Sequence, residues 1–279
     1  MLGMRYVKHP LSVLRDLIED PAETWTSVRE SYIAHREQRR PQCLYESNPS
    51  WELRLHADVG AQWPCNETPA FFELWPKVIN ELESHGIQAG PMSFLGWNDG
   101  DRGFVRAVWC LTRHLKPDKV VETGVAHGVT SRFLLEALER NGKGRLFSID
   151  LPPFERAVRK QIGVAVEDRF RTRWKYIKGS SRRRLSGLLS ELGQIDLFIH
   201  DSLHSEHNVR FEMDLAWAAL RPGGALVVDD VDANWGFRSF LEDCSGQESI
   251  ICDAEPLRPD LRRFNKKGLF GIVIKQGPA

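Results

Sequence analysis

From residue 104 onward, short apolar runs alternate with segments of helical periodicity, and this alternation constrains the fold more than any other feature. The runs at 119–123, 145–151 and 195–200 are near-continuous rather than alternately apolar and polar. Strands of that kind are buried on both faces, as in a mainly parallel sheet covered by helices on both sides. The pattern therefore predicts an α/β fold with a doubly wound, mainly parallel, Rossmann-like sheet of seven strands over residues 105–279.

Residues 1–104 have a different character, being rich in Trp, Pro, His and Arg. Helical periodicity is confined to residues 11–20, 23–39 and 71–85, and residues 41–69 are turn-rich and irregular. We predict an N-terminal helical and irregular cap on the sheet domain. The tryptophans of the cap could line a substrate pocket, but packing onto the core is the commoner role of such side chains.

The bulk composition favours no class of macromolecular partner. The chain has 38 basic and 38 acidic residues and a formal net charge of zero, so no broad field attracts nucleic acid or an anionic membrane. Its five cysteines are dispersed without a C-x-x-C pair, which indicates reduced thiols rather than a disulfide framework. No apolar stretch reaches the about 18 residues of a membrane span, and no signal peptide is evident. A cytoplasmic protein is expected, and its oligomeric state is open, homo-oligomers included.

The segment 120–131 joins an apolar run to a helix through a glycine-containing turn. Gly124 and Gly128 lack a Cβ, so they permit tight turning and close approach to a ligand. The following helix offers unpaired N–H groups and the positive end of its dipole. These features suit a nucleotide-like cofactor, although a purely structural turn has the same pattern. Ala126 and His127 stand where the dinucleotide fingerprint would have further glycines, which argues against a nicotinamide cofactor.

Acidic residues follow or end several of the predicted strands: Glu122, Asp150, Asp201, Asp229 and Asp230. The carboxyl ends of parallel strands meet at one edge of an open sheet, where ligands bind, so these carboxylates should converge. Asp150 could accept hydrogen bonds from ribose hydroxyls, and Glu122 could contact a cationic part of the ligand or brace the turn. The three aspartates from the later strands form an all-oxygen set suited to Mg²⁺ or a similar ion. A capping role is the commoner one for any single Asp, but it explains five together poorly.

His204 follows Asp201 by three residues and lies in a loop beyond the strand. An imidazole there could take a proton from a substrate hydroxyl. His200 ends an apolar strand, so a packed and hydrogen-bonded role is expected for it. The three arginines at 182–184 indicate a solvated helix start, to which we assign no function.

Five motifs carry a resemblance that covers residues 100–279. They are Glu122-x-Gly124-x-x-x-Gly128-x-Thr130, Ser148-Ile149-Asp150, Gly179-Ser180-Ser181, Ile199-His200-Asp201 and Val228-Asp229-Asp230. In order and spacing they resemble class I S-adenosylmethionine-dependent methyltransferases, specifically the metal-dependent O-methyltransferases typified by catechol O-methyltransferase. The segment 195–231 also resembles bacterial methyltransferases that tailor sugars and natural products.

The resemblance implies a set of cofactor contacts. The methionine moiety of S-adenosylmethionine would be held by Glu122, Gly124, Gly128 and Thr130. Asp150 would bind the ribose hydroxyls, and Ser181 would lie near the adenine.

The resemblance also implies a metal site and a catalytic base. Asp201, Asp229 and Asp230 fall on metal-ligand positions, and Asp230 adds a negative charge where the family often has Asn. His204 stands where catechol O-methyltransferase has its catalytic lysine, so a histidine base with a different pH profile is expected, with Asp201 assisting. The implied activity is methyl transfer to a hydroxyl of a small molecule or sugar, assisted by a divalent cation. A nucleotide-cofactor oxidoreductase and a non-catalytic S-adenosylmethionine-binding protein are the alternatives.

Overall fold

The computed structural model describes residues 10–37, 40, 43–94, 97–151, 153, 155–244, 246–257 and 268–277. The helices are α1 (Pro10–Glu19), α2 (Pro21–Glu37), α3 (Trp51–Asp58), α4 (Thr68–Ser84), α5 (Arg102–Leu115), α6 (Val129–Asn141), α7 (Arg156–Arg159), α8 (Ser181–Leu192), α9 (Glu206–Ala219) and α10 (Gly236–Asp243). The strands are β1 (Gly90–Phe94), β2 (Trp97–Asp99), β3 (Lys119–Thr123), β4 (Arg145–Asp150), β5 (Trp174–Lys178), β6 (Ile195–His200), β7 (Leu220–Val228), β8 (Ser249–Cys252) and β9 (Phe270–Ile274). Within these residues, every helix is too short or too polar to cross a membrane.

Seven strands form one sheet in the order β5-β4-β3-β6-β7-β9-β8, which confirms the predicted doubly wound fold. Strands β3 to β7 pair in parallel, and β9 is antiparallel to both of its neighbours. The chain runs outward from β3 through β4 to β5 and then returns to the other side of β3 with β6. Ligands bind in open α/β sheets at such a switch point, beyond the carboxyl ends of the strands. We call this edge, at the ends of β3, β4, β6 and β7, the rim.

Helices cover both faces of the sheet, which is why its strands are apolar on both sides. In β3, Val120 belongs to the core that includes α3, α4, α5 and α6. Its neighbour Val121 belongs to the core beneath α8, α9 and α10. Both valines are fully buried, because successive side chains of a strand point to opposite faces.

Two helices of the N-terminal third pack on the sheet and on α6. Trp51 of α3 lies edge-on to Phe270 of β9 with ring centroids 5.4 Å apart, and Trp75 of α4 contacts Phe133 at 5.5 Å. Both tryptophans are buried, as the packing role predicted, whereas Trp63 is 37% exposed. The side chain of Trp97 lies outside the described part. The prediction of an irregular stretch over 41–69 is wrong for α3, which is stabilised by tertiary packing rather than by a long periodic pattern.

The arginines at the start of α8 form ion pairs with α2 and with the residue that joins α1 to α2. Arg182 Nε lies 3.1 Å from Glu30 Oε2 in α2, and Arg183 Nη1 lies 3.1 Å from Asp20 Oδ1 and 3.2 Å from Glu23 Oε2. The prediction of a merely solvated run is therefore wrong for these two arginines. The pairs hold α2 and its junction with α1 against the start of α8, beyond the carboxyl end of β5.

Candidate functional site

The turn after β3 packs directly against the loop after β6. Gly124 and Gly128 have φ of 88° and 86°, in the left-handed region that favours glycine. A Cβ on Gly124 would lie 1.8 Å from the carbonyl oxygen of Asp201. The Gly124 amide donates to Ile149 O at 2.9 Å, and the Asp201 amide donates to Thr123 O at 2.8 Å. The turn is therefore tied to both neighbouring strands at the switch point.

Asp150 faces this turn from the end of β4. Its Oδ2 lies 3.3 Å from the amide nitrogens of both Val125 and Ala126, which donate to it. Ala126 has a φ of 48°, an uncommon conformation for alanine, and successive amides in such turns form anion-binding concavities. Burial raises the pKa of Asp150 to about 6. The Asp150 carboxylate is thus held against the turn at the position where the ribose contact is predicted.

Glu122 braces the turn from inside the fold. It is fully buried, and its Oε2 accepts hydrogen bonds from Ser131 Oγ in α6 at 2.7 Å and from Ser148 Oγ in β4 at 2.6 Å. Burial raises the pKa of Glu122 to about 7. Of the two roles considered for this residue, these contacts favour bracing over a direct contact with the ligand.

Glu122→Gln keeps the size of the side chain but removes the ionisable group. The folded-state pKa of about 7 exceeds the ordinary 4.5, so between these pH values the folded protein binds more protons than the unfolded chain does. The free energy of unfolding therefore falls as pH rises through that window. We expect the variant to exceed the wild type in stability by on the order of 3 kcal/mol at about pH 8, with no such gain at about pH 4. Urea unfolding across this range measures the difference.

Glu139→Gln is the matched control, because Glu139 lies on the same helix as Ser131, is half-exposed, and pairs with Arg173 at 2.5 Å. Its stability difference from the wild type should vary little with pH. A Glu122→Gln difference that is equally independent of pH would contradict a buried, ionising Glu122.

The remaining predicted cofactor residues lie at the starts of two helices. Thr130 is the second residue of α6, which follows Gly128 and has no side-chain cap. Ser181 is the first residue of α8, and its Oγ lies 3.4 Å from Asn208 Oδ1. A cavity of ≈ 250 Å³ adjoins the ends of β4 and β5, lined on the sheet side by Leu151 and Gly179 and on its other side by residues of α1 and α2. The Asp150 end of the rim therefore opens toward a space beneath the first two helices.

Asp201, His204 and Asp229 come together beyond β6 and β7. Their candidate ligand atoms all lie within 4.8 Å of one another, and each side chain is partly exposed. His204 Nε2 lies 3.7 Å from Asp201 Oδ1. Two carboxylates and an imidazole can hold a divalent cation, and the nitrogen donor suits Mn²⁺, Fe²⁺ or Zn²⁺ as well as an oxygen-preferring ion such as Mg²⁺.

Asp230, the third predicted metal ligand, is not a member of this group. It has a φ of 50°, precedes a short 3₁₀ turn at Val231–Ala233, and is 5% exposed. The structure therefore assembles two of the three predicted ligands with the residue predicted as the base. Two adjacent aspartates look equivalent in sequence, and the left-handed backbone at the second one distinguishes them.

A buried acid–histidine pair lies on the inner side of the group formed by Asp201, His204 and Asp229. His200 Nδ1 lies 2.6 Å from Glu212 Oε2, and both side chains are fully buried. Ser202 Oγ and Asn208 Nδ2 donate to Glu212 Oε1 at 2.7 and 2.9 Å. Burial acts to raise the pKa of Glu212, but His200 and the hydrogen bonds lower it to about 2. His200 is thus packed and hydrogen-bonded as predicted.

This pair also contacts the rim. The rings of His200 and His204 meet edge-on with centroids 5.5 Å apart, so the His200–Glu212 pair packs against the His204 ring. Sequence reasoning missed Glu212. The available signal was its position on the apolar stripe of α9, between Val209 and Ala216, where an acidic residue needs buried partners.

Residues 121–231 match a family model described as a methyltransferase domain. This span contains the glycine turn, Asp150, the group at Asp201 and both members of the buried acid–histidine pair. No curated protein matches the chain significantly.

Two solved structures share the fold. One is a provisionally assigned O-methyltransferase from Klebsiella pneumoniae, 16% identical, with a TM-score of 0.51 over 73% of this chain and 90% of that one. The other is TomG from Streptomyces achromogenes, an O-methyltransferase involved in tomaymycin synthesis and solved in complex with SAM. It is 17% identical, with a TM-score of 0.51 over 73% of this chain and 89% of TomG. At these identities the likeness establishes the fold alone.

Proposed function

We propose that this chain, a methyltransferase by its domain at residues 121–231, transfers the methyl group of S-adenosylmethionine to a hydroxyl oxygen of a small molecule or sugar. The enzyme class follows from the domain match. The methyl donor and the oxygen acceptor are the proposed parts. They are supported by the surface around Asp150, by the group at Asp201, and by the fold shared with TomG, which binds SAM and is an O-methyltransferase.

The donor side fits a sulfonium nucleoside that carries an amino acid. The uncapped start of α6 offers N–H groups and a positive dipole end to the carboxylate of the methionine moiety. Asp150 offers a carboxylate to ribose hydroxyls, and the cavity beside Leu151 and Gly179 offers space near the start of α8 for the adenine. Gly124, Gly128 and Thr130 form the turn and helix start. When bound, the cofactor supplies an electrophilic methyl group.

The acceptor side is the group of Asp201, His204 and Asp229. We assign Asp201 and Asp229 to holding a divalent cation, which would favour the ionised form of a nearby hydroxyl. His204 is positioned either to complete the ligand set or to take the hydroxyl proton at Nε2. Alignment of two bound reactants can contribute about 7–11 kcal/mol to lowering a barrier in favourable cases.

The single observation that carries the donor assignment is the carboxylate of Asp150 facing the two amides of the turn. Asp150→Asn removes the charge and keeps the shape, so hydrogen bonds from ribose hydroxyls should weaken. We expect the affinity for S-adenosylmethionine and its demethylated product to fall roughly 10- to 100-fold, as for loss of a charged hydrogen-bond partner. Isothermal titration calorimetry measures both ligands.

Asp168→Asn is the control, because the Asp168 side chain is 85% exposed and, within the described part of the chain, forms an ion pair with Arg171 alone. It should bind both ligands as the wild type does. Binding of NAD in preference to S-adenosylmethionine would favour the oxidoreductase alternative. Binding without turnover across a panel of phenols, sugars and hydroxylated natural products would favour the non-catalytic alternative.

A further inference from the structure

Two cysteines and two histidines meet at the edge of the sheet opposite the rim. Cys110 and His114 lie one turn apart on α5, which ends shortly before β3 begins, so they lie near the amino ends of the strands. The candidate ligand atoms of His56, Cys65 and Cys110 all lie within 4.8 Å of one another, and all three residues are buried. His114 lies beside this group of three and is not a member of it: its Nε2 is 3.2 Å from Cys65 Sγ, and its ring centroid is 5.2 Å from that of His56. This cluster shares no residue with the methyl-transfer site.

His56 provides a second, independent observation. Its Nδ1 lies 2.6 Å from the carbonyl oxygen of Glu52, which can only accept, so Nδ1 carries the proton and Nε2 has a free lone pair. The residue is 1% exposed, and Nε2 has no hydrogen-bond partner among the described residues. A buried acceptor without a partner is costly. An imidazole that donates to a backbone carbonyl through one nitrogen is how metal-binding histidines are usually held.

We propose that His56, Cys65, Cys110 and His114 form a structural zinc site. Two cysteine sulfurs and two imidazole nitrogens are a common tetrahedral set for structural Zn²⁺. Two thiolates also cancel the charge of the ion, so no net charge is left in this buried place. The site would join α3, the segment before α4, and α5, and would thereby fasten the N-terminal helices to the methyltransferase domain.

A disulfide between Cys65 and Cys110 explains the cluster less well. It would use both sulfurs but leave His56 Nε2 without a partner. Both cysteines are free in the structure.

The test is the metal content of the full chain, purified without chelators from zinc-supplemented cells and measured by mass spectrometry of the elements. We expect about one zinc per chain, and its loss in Cys65→Ser. Cys244→Ser, a half-buried cysteine outside the cluster, should keep the zinc. Asp229→Ala should also keep it, which separates this site from the cation group at the rim. Stripping the zinc should lower the unfolding midpoint by roughly 10 °C.

A second measurement covers the case in which Cys65→Ser does not fold. The wild-type chain, stripped of metal and loaded with Co²⁺, should show thiolate-to-cobalt charge-transfer absorption and the intense visible bands of tetrahedral Co²⁺. Three results would overturn the proposal: a chain without zinc that shows no such absorption, zinc retained in full by folded Cys65→Ser, or an intact mass lower by two hydrogen atoms that maps to a Cys65–Cys110 disulfide.

Discussion

Asp229→Ala is expected to lower methyl transfer on the order of 10³-fold and to leave the affinity for S-adenosylmethionine almost unchanged. Asp229 is one of the two carboxylates in the group at the rim, so its loss leaves one carboxylate and one imidazole to hold a cation. The donor surface at Asp150 belongs to the other half of the sheet and should be unaffected. Initial rates with and without EDTA, together with calorimetric titration of the cofactor, measure the two effects separately.

Asp243→Ala is the control for this prediction, because Asp243 is 71% exposed at the end of α10 and its one ion-pair partner among the described residues is Arg210. His204→Gln then distinguishes the two roles of the histidine. If His204 takes the proton, the pH–rate profile should change while the cation affinity stays the same. If His204 is a ligand, the cation affinity should fall. Full activity of Asp229→Ala in EDTA would refute the metal role.

Gly124→Ala is expected to destabilise the protein by more than about 3 kcal/mol and to abolish cofactor binding. The added Cβ would lie 1.8 Å from the carbonyl oxygen of Asp201, a backbone atom that can move only if the loop after β6 moves with it. The φ of 88° adds strain for any residue with a Cβ. The substitution should therefore displace the turn and the Asp201 loop together. Urea unfolding and calorimetry measure the two losses.

Gly142→Ala separates backbone strain from the steric clash. Gly142 has a φ of 70° at the end of α6, but a Cβ there would meet nothing within 4 Å. We expect it to cost only about 1–2 kcal/mol and to leave cofactor binding intact. Equal losses in the two variants would show that the contact between the turn and the Asp201 loop has no special role.

The central strands could be predicted from the sequence because burial on both faces leaves a pattern that few other structures share. β3 and β6 have the predicted bounds. The residues at their carboxyl ends could be predicted to converge for the same reason, since parallel strands bring those ends to one edge. Asp150 and the pair of Asp201 and Asp229 follow from this rule.

The rest of the site depends on contacts that a linear pattern does not contain. Asp230 has a left-handed backbone that Asp229 lacks, and Glu212 acquires its role from a histidine on a neighbouring strand. His56 and Cys110 are distant in sequence, and their spacing matches no zinc motif. The dispersed cysteines of the sequence predict only reduced thiols, and it is the fold that brings Cys65, from the segment before α4, and Cys110 of α5 beside His56 of α3.

Thr123 joins the two halves of the rim. Its carbonyl oxygen accepts from the Asp201 amide at 2.8 Å, its Oγ1 donates to Glu212 Oε2 at 2.5 Å, and its neighbour Gly124 begins the turn. The turn after β3 and the loop after β6 are thus both tied to β3, which fixes the spacing between the proposed donor and acceptor sites. These groups become ordered when the protein folds. Substrate binding therefore does not have to offset the entropy cost of ordering them.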